Sequence, residues 1–231
     1  MSDTLNLSRQ NKLVPKDKIQ DITIKIFGVG SVGSHTAKVL AKTGFKHIEL
    51  YDMDIVDSEN LAAQAFDFKH LKKNKVDAMK EILKDAAGID AITHHGEITE
   101  DTEITPEPNT VYMCFFDSLE ARKIVWNKVK DFPVLYIDGR IGRYDMRYYF
   151  VDCIVPEEKE EYEKTLSVSG ISDLECGEKA SAPINSMLAG MITMNLVNYI
   201  KEEKQIMTFI GNASTPKNNM YILKDISEVK K

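Results

Sequence analysis

Three glycines closing an apolar run limit what this chain can become. Gly28, Gly30 and Gly33 follow the β-type run ITIKIF (22–27) and open an amphipathic segment that reaches Leu40. In that setting a G-x-G-x-x-G spacing predicts a strand, a phosphate-accepting turn and a helix. The first glycine permits the tight turn, the second lets backbone approach a phosphate, and the third lets helix pack on strand. The helix start then offers unpaired N–H groups and a positive dipole end to an anion. A second strand, HIELYDMD, carries Asp52 19 residues beyond Gly33, close to where an acid can take ribose hydroxyls. By itself the pattern is compatible with NAD, FAD or ATP, and with a glycine turn that holds no ligand.

The loop after the second strand separates these options. Asp52-Met53-Asp54-Ile55-Val56, then Ser58-Glu59-Asn60-Leu61 and Gln64, resembles the D-x-D-x-V-x-x-S-N-L-x-R-Q signature of ThiF/MoeB/HesA-type enzymes, relatives of ubiquitin-activating enzymes. Ser8-Arg9-Gln10, Lys75-Val76-Asp77, and Asp117-Ser118 with Arg122 match at the expected distances, so the resemblance covers Ser8 to Tyr144. The expected fold is α/β, Rossmann-like and doubly wound, with a mostly parallel mixed sheet and an antiparallel C-terminal continuation.

The resemblance also implies a site. Gly28, Gly30 and Gly33 would cradle phosphate, Asp52 would hold ribose, and Asp54 belongs to the same nucleotide loop. Asn60 and Gln64 would orient the phosphates, Lys75 would neutralise their charge, and Asp117 would coordinate Mg²⁺. Arg9 would act in trans, from the arm of a homodimer partner. ATP and Mg²⁺ are the implied cofactors. The implied partner is the C-terminus of a ubiquitin-like or sulfur-carrier protein, and the apolar helix Met187 to Tyr199 is the expected dimer face.

Blander readings stand beside these. Asp117 also reads as an acid at the start of the helix Leu119 to Val129, stabilised by its dipole. Ser58-Glu59-Asn60 reads as a helix-start cluster, and Arg9 as an ordinary surface arginine. In one respect the chain departs from the family, because the loop arginine falls on Ala63. Losing a preorganised charged donor typically costs about 3 kcal/mol of transition-state stabilisation, and Lys72, Lys73 or Arg9 are the candidates to replace it. The leading expectation is ATP-dependent adenylation of a carboxylate with release of pyrophosphate. Ala63 suggests the alternative, a non-catalytic nucleotide-binding partner. A NAD- or FAD-dependent oxidoreductase is the third reading, for which no hydride-transfer constellation is recognisable.

Size and composition agree with one soluble α/β domain, 1–231, with an arm over 1–20 and a flexible crossover over 157–186. A net charge of −6 argues against duplex nucleic acid as a partner. No apolar run approaches the roughly 20 residues of a membrane span, and MSDTLNLSRQNK lacks a signal-peptide core. The cysteines, Cys114, Cys153 and Cys176, form no C-x-x-C pair. That excludes the four-thiolate zinc site of many resembling enzymes and fits a reducing cytoplasm. Cys176, in a polar context, is the candidate acceptor thiol or an unreactive loop cysteine. Arginines 140, 143 and 147 are expected to be solvated on a half-exposed strand, or to border a docking site for the substrate tail.

Overall fold

The run after Ile22 forms β1 (Thr23–Phe27), the central strand in a computed structural model that describes residues 5–142, 144–167, 181–203, 206–212 and 220–225. On one side β1 pairs in parallel with β2 (His47–Asp52), and β2 with β3 (Ile92–His95). On the other side β1 pairs in parallel with β4 (Thr110–Cys114), and β4 with β5 (Leu135–Gly142). Three strands then continue the sheet antiparallel: β6 (Asp145–Asp152), β7 (Ile206–Asn212) and β8 (Met220–Asp225). The order β3-β2-β1-β4-β5-β6-β7-β8 reverses between β1 and β4. That is the switch point outside whose carboxyl ends open α/β sheets bind ligands. The Rossmann-like expectation with an antiparallel continuation is borne out.

Alternating strand residues feed two cores. Ile24 and Ile26 of β1 and Val111 and Met113 of β4 face α2 (Ser31–Thr43), α3 (Lys75–Ala87) and α6 (Ala182–Ile200). Phe27, Tyr112 and Cys114 face α4 (Leu119–Val129) and α5 (Pro156–Thr165) on the other side. With both faces covered, every residue of β4 is buried, which is why its sequence is a continuous apolar run. Helix α2 ends at Gly44, whose φ of 113° lets its N–H reach the carbonyls of Ala41 and Leu40.

Some expectations are corrected. The arm, where an exposed segment is the usual outcome, is docked from Leu5 on: it forms the short helix α1 (Lys16–Ile19), Val14 and Ile19 are buried, and Gln10 Nε2 donates to Lys42 O at 3.1 Å. Of the crossover expected over 157–186, α5 occupies one end, with Tyr162 wholly buried, and α6 occupies the other from Ala182. Cys176, Arg143 and the turn expected at Pro216-Lys217-Asn218-Asn219 lie outside the described residues. Among those described, no helix is long and apolar enough to cross a membrane.

Candidate active site

At the carboxyl edge of β1, β2, β4 and β5 a cleft of about 840 Å³ opens, within the size range of small-molecule sites. Its floor is the glycine turn, in which the glycines do different work. Gly28 has φ 91°, and a Cβ there would lie 2.9 Å from the Phe115 backbone. A Cβ on Gly33 would stand 1.9 Å from Gly28 O. Both are demanded by the chain's own packing. A Cβ on Gly30 would meet only Gln64 Nε2, at 3.9 Å, so this is where backbone faces open cleft. The first intrahelical bond of α2 runs from Ser34 N–H to Gly30 O at 3.0 Å. The N–H groups ahead of it have no intrahelical acceptor and are free for an anion.

Asp52 is 6% exposed and accepts N–H bonds from Val29 at 2.6 Å and Asp54 at 2.8 Å. It therefore ties the turn to the next loop while its remaining lone pairs border the cleft. Burial pushes its pKa up, against the pull of those two N–H bonds and of Lys75. Lys75 opens α3 and places Nζ 2.7 Å from Asp54 Oδ2. Its side chain is 7% exposed whereas that of Asp54 is 53% exposed, so Asp54 aims an otherwise buried ammonium along the cleft wall.

Gln64 comes to the cleft on a loop held from behind. The carbonyl of its neighbour Ala63 accepts from Asn185 Nδ2 at 2.8 Å and lies 3.1 Å from His35 Nε2, and Ala65 N–H donates to Ser34 Oγ at 3.1 Å. Burial lowers the pKa of His35, against the pull of its bond to the Ala63 carbonyl. Gln64 Oε1 is buried and has no hydrogen-bond partner among the described residues. A buried acceptor left so costs about 1–3 kcal/mol, as expected of an amide that awaits a polar ligand.

Asp117 lines the cleft just beyond β4, exposed and with no hydrogen bond or ion pair among the described residues. The helix-start role falls instead to Ser118, whose Oγ accepts from Ala121 N–H at 3.2 Å. Among the described residues no group of three or more acidic, His or Cys side chains could cage a metal. An exposed carboxylate in a cleft could hold Mg²⁺, which takes one or two carboxylates and completes its shell with ligand oxygens and water.

Other expected site residues lie elsewhere. Asn60 Oδ1 accepts from Asp57 N–H at 2.9 Å in a capping box and does not line the cleft, so the helix-start reading holds for it. Lys72 and Lys73 do not replace the missing arginine: they pair with Asp57 and Glu81, away from the cleft. Arg9 is exposed in a short turn whose Gln10 is docked at the C-terminal end of α2. At about 1.5 Å per residue, the 13 residues of α2 put it roughly 20 Å from its own glycine turn. Cys114 and Cys153 are buried, and burial pushes the Cys153 thiol up to about 12, so neither is a ready nucleophile.

Sequence reasoning missed a buried cluster under the cleft. Asp138 is wholly buried; one oxygen accepts from Arg122, the other from Arg140 Nη2 at 2.7 Å and Tyr162 OH at 2.8 Å. Arg140 is thus a 10% exposed partner of Asp138 and not a solvated arginine, and Arg147 has its Nε buried. The signal available was Arg122 in the Asp117-Ser118 motif and Asp138-Gly139-Arg140 at a strand end, but nothing in the sequence joins them.

Comparison with known proteins agrees with this architecture. The ThiF family matches residues 5–230. The NEDD8-activating enzyme E1 catalytic subunit of Arabidopsis thaliana is 32% identical over 114 residues, 48% of this chain and 25% of that protein. Ubiquitin-like modifier-activating enzyme 5 of Branchiostoma floridae is 24% identical over 238 residues, 91% of this chain and 57% of that one. The chain therefore spans well under two thirds of the length of these relatives. Among solved structures, E. coli MccB with AMPCPP and MccA aligns with a TM-score of 0.70 at 17% identity, covering 90% of this chain and 65% of that one.

Proposed function

We propose, for a chain that belongs to the ThiF family, that the cleft binds ATP and catalyses adenylation of a carboxylate with release of pyrophosphate. The observation that carries this is convergence: the turn at Gly30, Asp52, Gln64, Lys75 and Asp117 come from separate loops and face one cleft. A carboxylate oxygen attacks the α-phosphorus, the bond to the bridging oxygen breaks, and pyrophosphate leaves with its electron pair. Little covalent work falls to the protein, so positioning and electrostatics decide the rate.

In this reading the free N–H groups of α2 and the Gln64 amide hold phosphate oxygens, and Asp52 accepts from ribose hydroxyls. Lys75, aimed by Asp54, stabilises charge passing to the leaving group. Asp117 would hold Mg²⁺, which would supply charge neutralisation for the triphosphate. The carboxylate is the C-terminus of a ubiquitin-like or sulfur-carrier protein, a substrate class supported by the relatives' names. Homodimerisation is part of the reading. Met187 and Met194 stand 46% and 44% exposed on α6, and Arg9, too far from its own cleft, contributes only to that of a partner copy. ATP–pyrophosphate exchange stimulated by a glycine-terminated carrier protein tests the proposal; a folded chain that exchanges with no carrier would refute it. Ala63 favours a second reading, a nucleotide-binding partner without catalysis, in which ATP binds but no exchange is seen.

A further inference from the structure

The sheet opens to make the cleft at a defined place. Parallel pairing of β4 with β5 ends at Cys114↔Asp138. Beyond it Phe115 N–H still donates to Phe27 O at 2.7 Å on the β1 side, and the segment carrying Phe116 and Asp117 then leaves the sheet and parts from β5. The side chain of Arg122, 5% exposed, fills this parting. From the first turns of α4 its guanidinium donates to Phe116 O on one chain, and to Gly139 O at 3.3 Å and the Asp138 carboxylate on the other.

A planar guanidinium presents its donors in a fixed fork, so three acceptors on two chains fix both their separation and their orientation. A lysine ammonium would satisfy the charge of Asp138 but not the two carbonyls together. The carbonyl it takes on the β4 side belongs to the residue before Asp117, so the peptide leading into the free carboxylate is held by this contact.

We propose that Arg122 is a positioning residue: it braces the diverging ends of β4 and β5 and sets the place of Asp117 in the cleft. Its consequence for rate rests on the adenylation reading; the brace itself does not. Arg122 borders the cleft, and its effect on the rate passes through the Phe116–Asp117 peptide.

Two measurements test it. In the unmodified chain labelled with ¹⁵N-arginine, the Arg122 guanidinium is expected to give separate, slowly exchanging Nη signals, because rotation is blocked by acceptors on both sides. A single averaged signal overturns the brace whether or not the chain binds ATP, and whether or not any variant folds. In Arg122→Lys, kcat for ATP–pyrophosphate exchange is expected to fall about 100-fold, the scale of a 1 Å misplacement. Calorimetric affinity for ATP without Mg²⁺ should stay unchanged, while the gain in affinity that Mg²⁺ confers is lost. Unchanged kcat and Mg²⁺ gain, or an equal loss of metal-free affinity, contradict positioning. If the unmodified chain shows no exchange, the functional proposal fails by itself and the arginine spectrum still decides the brace.

Discussion

Replacing Gly30 and Gly33 separately by alanine distinguishes a glycine kept for a ligand from one kept for the fold. In helix α2 the Gly33→Ala change would by propensity stabilise the chain by about 0.5–1 kcal/mol. Packing acts against it, because the 1.9 Å from the new Cβ to Gly28 O must open by about 1 Å between two stretches of backbone that cannot rotate away. Overpacking of this kind costs about 1–3 kcal/mol, and with backbone on both sides the upper figure applies. The net loss of about 2 kcal/mol corresponds to a Tm lower by about 4–8 °C for a chain of this length. Gly30→Ala meets nothing nearer than Gln64 Nε2 at 3.9 Å, and its Tm should change little. Its methyl instead occupies the approach of a phosphate, and losing hydrogen bonds to a charged group, about 1.5–3 kcal/mol, weakens ATP binding roughly 10- to 100-fold. Thermal unfolding and titration calorimetry on both variants provide the comparison. A Gly33→Ala protein more stable than the parent, or a Gly30→Ala protein that binds ATP normally, would refute this division of roles.

Removing the ammonium in Lys75→Met should weaken ATP binding by a similar 10- to 100-fold. Stability should change by less than about 1 kcal/mol in a melting experiment, since the partner left behind, Asp54, has a 53% exposed side chain. The raised pKa of Asp52 has a sign that can be checked. An acid whose folded pKa lies above its ordinary value loses stability while ionised and recovers it as pH falls through the folded pKa. Its hold on ribose follows the opposite course, so ATP affinity measured against pH should begin to fall above the ordinary 3.8, whereas an affinity flat down to that value contradicts the assignment. Ala63→Arg restores the family's loop charge and should raise the exchange rate at least about tenfold, with no change pointing to a cleft already complete without it.

The glycine half-unit was legible because its signals are local: an apolar run, a turn, a helix face and an acid at a set distance. Helix α4 matches its expected bounds, Leu119–Val129, for the same reason. Pairing across the chain was not legible. Strand β5 runs on past Asp138 to Gly142 because β6 folds back on it. Helix α6 starts at Ala182, ahead of the expected Met187, since Pro183 in a Ser- and Gly-rich stretch reads as loop until its place in the first turn is seen. Lys25, within the apolar run of β1, is buried and bonded to Glu107 at 2.8 Å, 82 positions away. The Arg122–Asp138–Arg140 cluster is of the same kind, each charge silent about its partner until the strands are side by side.

Calorimetric titration of the intact chain with ATP in the presence of Mg²⁺, against a parallel titration with NADH, tests the central claim most directly. Saturable binding of ATP, weakened in Lys75→Met and Gly30→Ala, with no competing uptake of NADH, is the predicted result. Heat from NADH alone, or from neither nucleotide, would contradict the account.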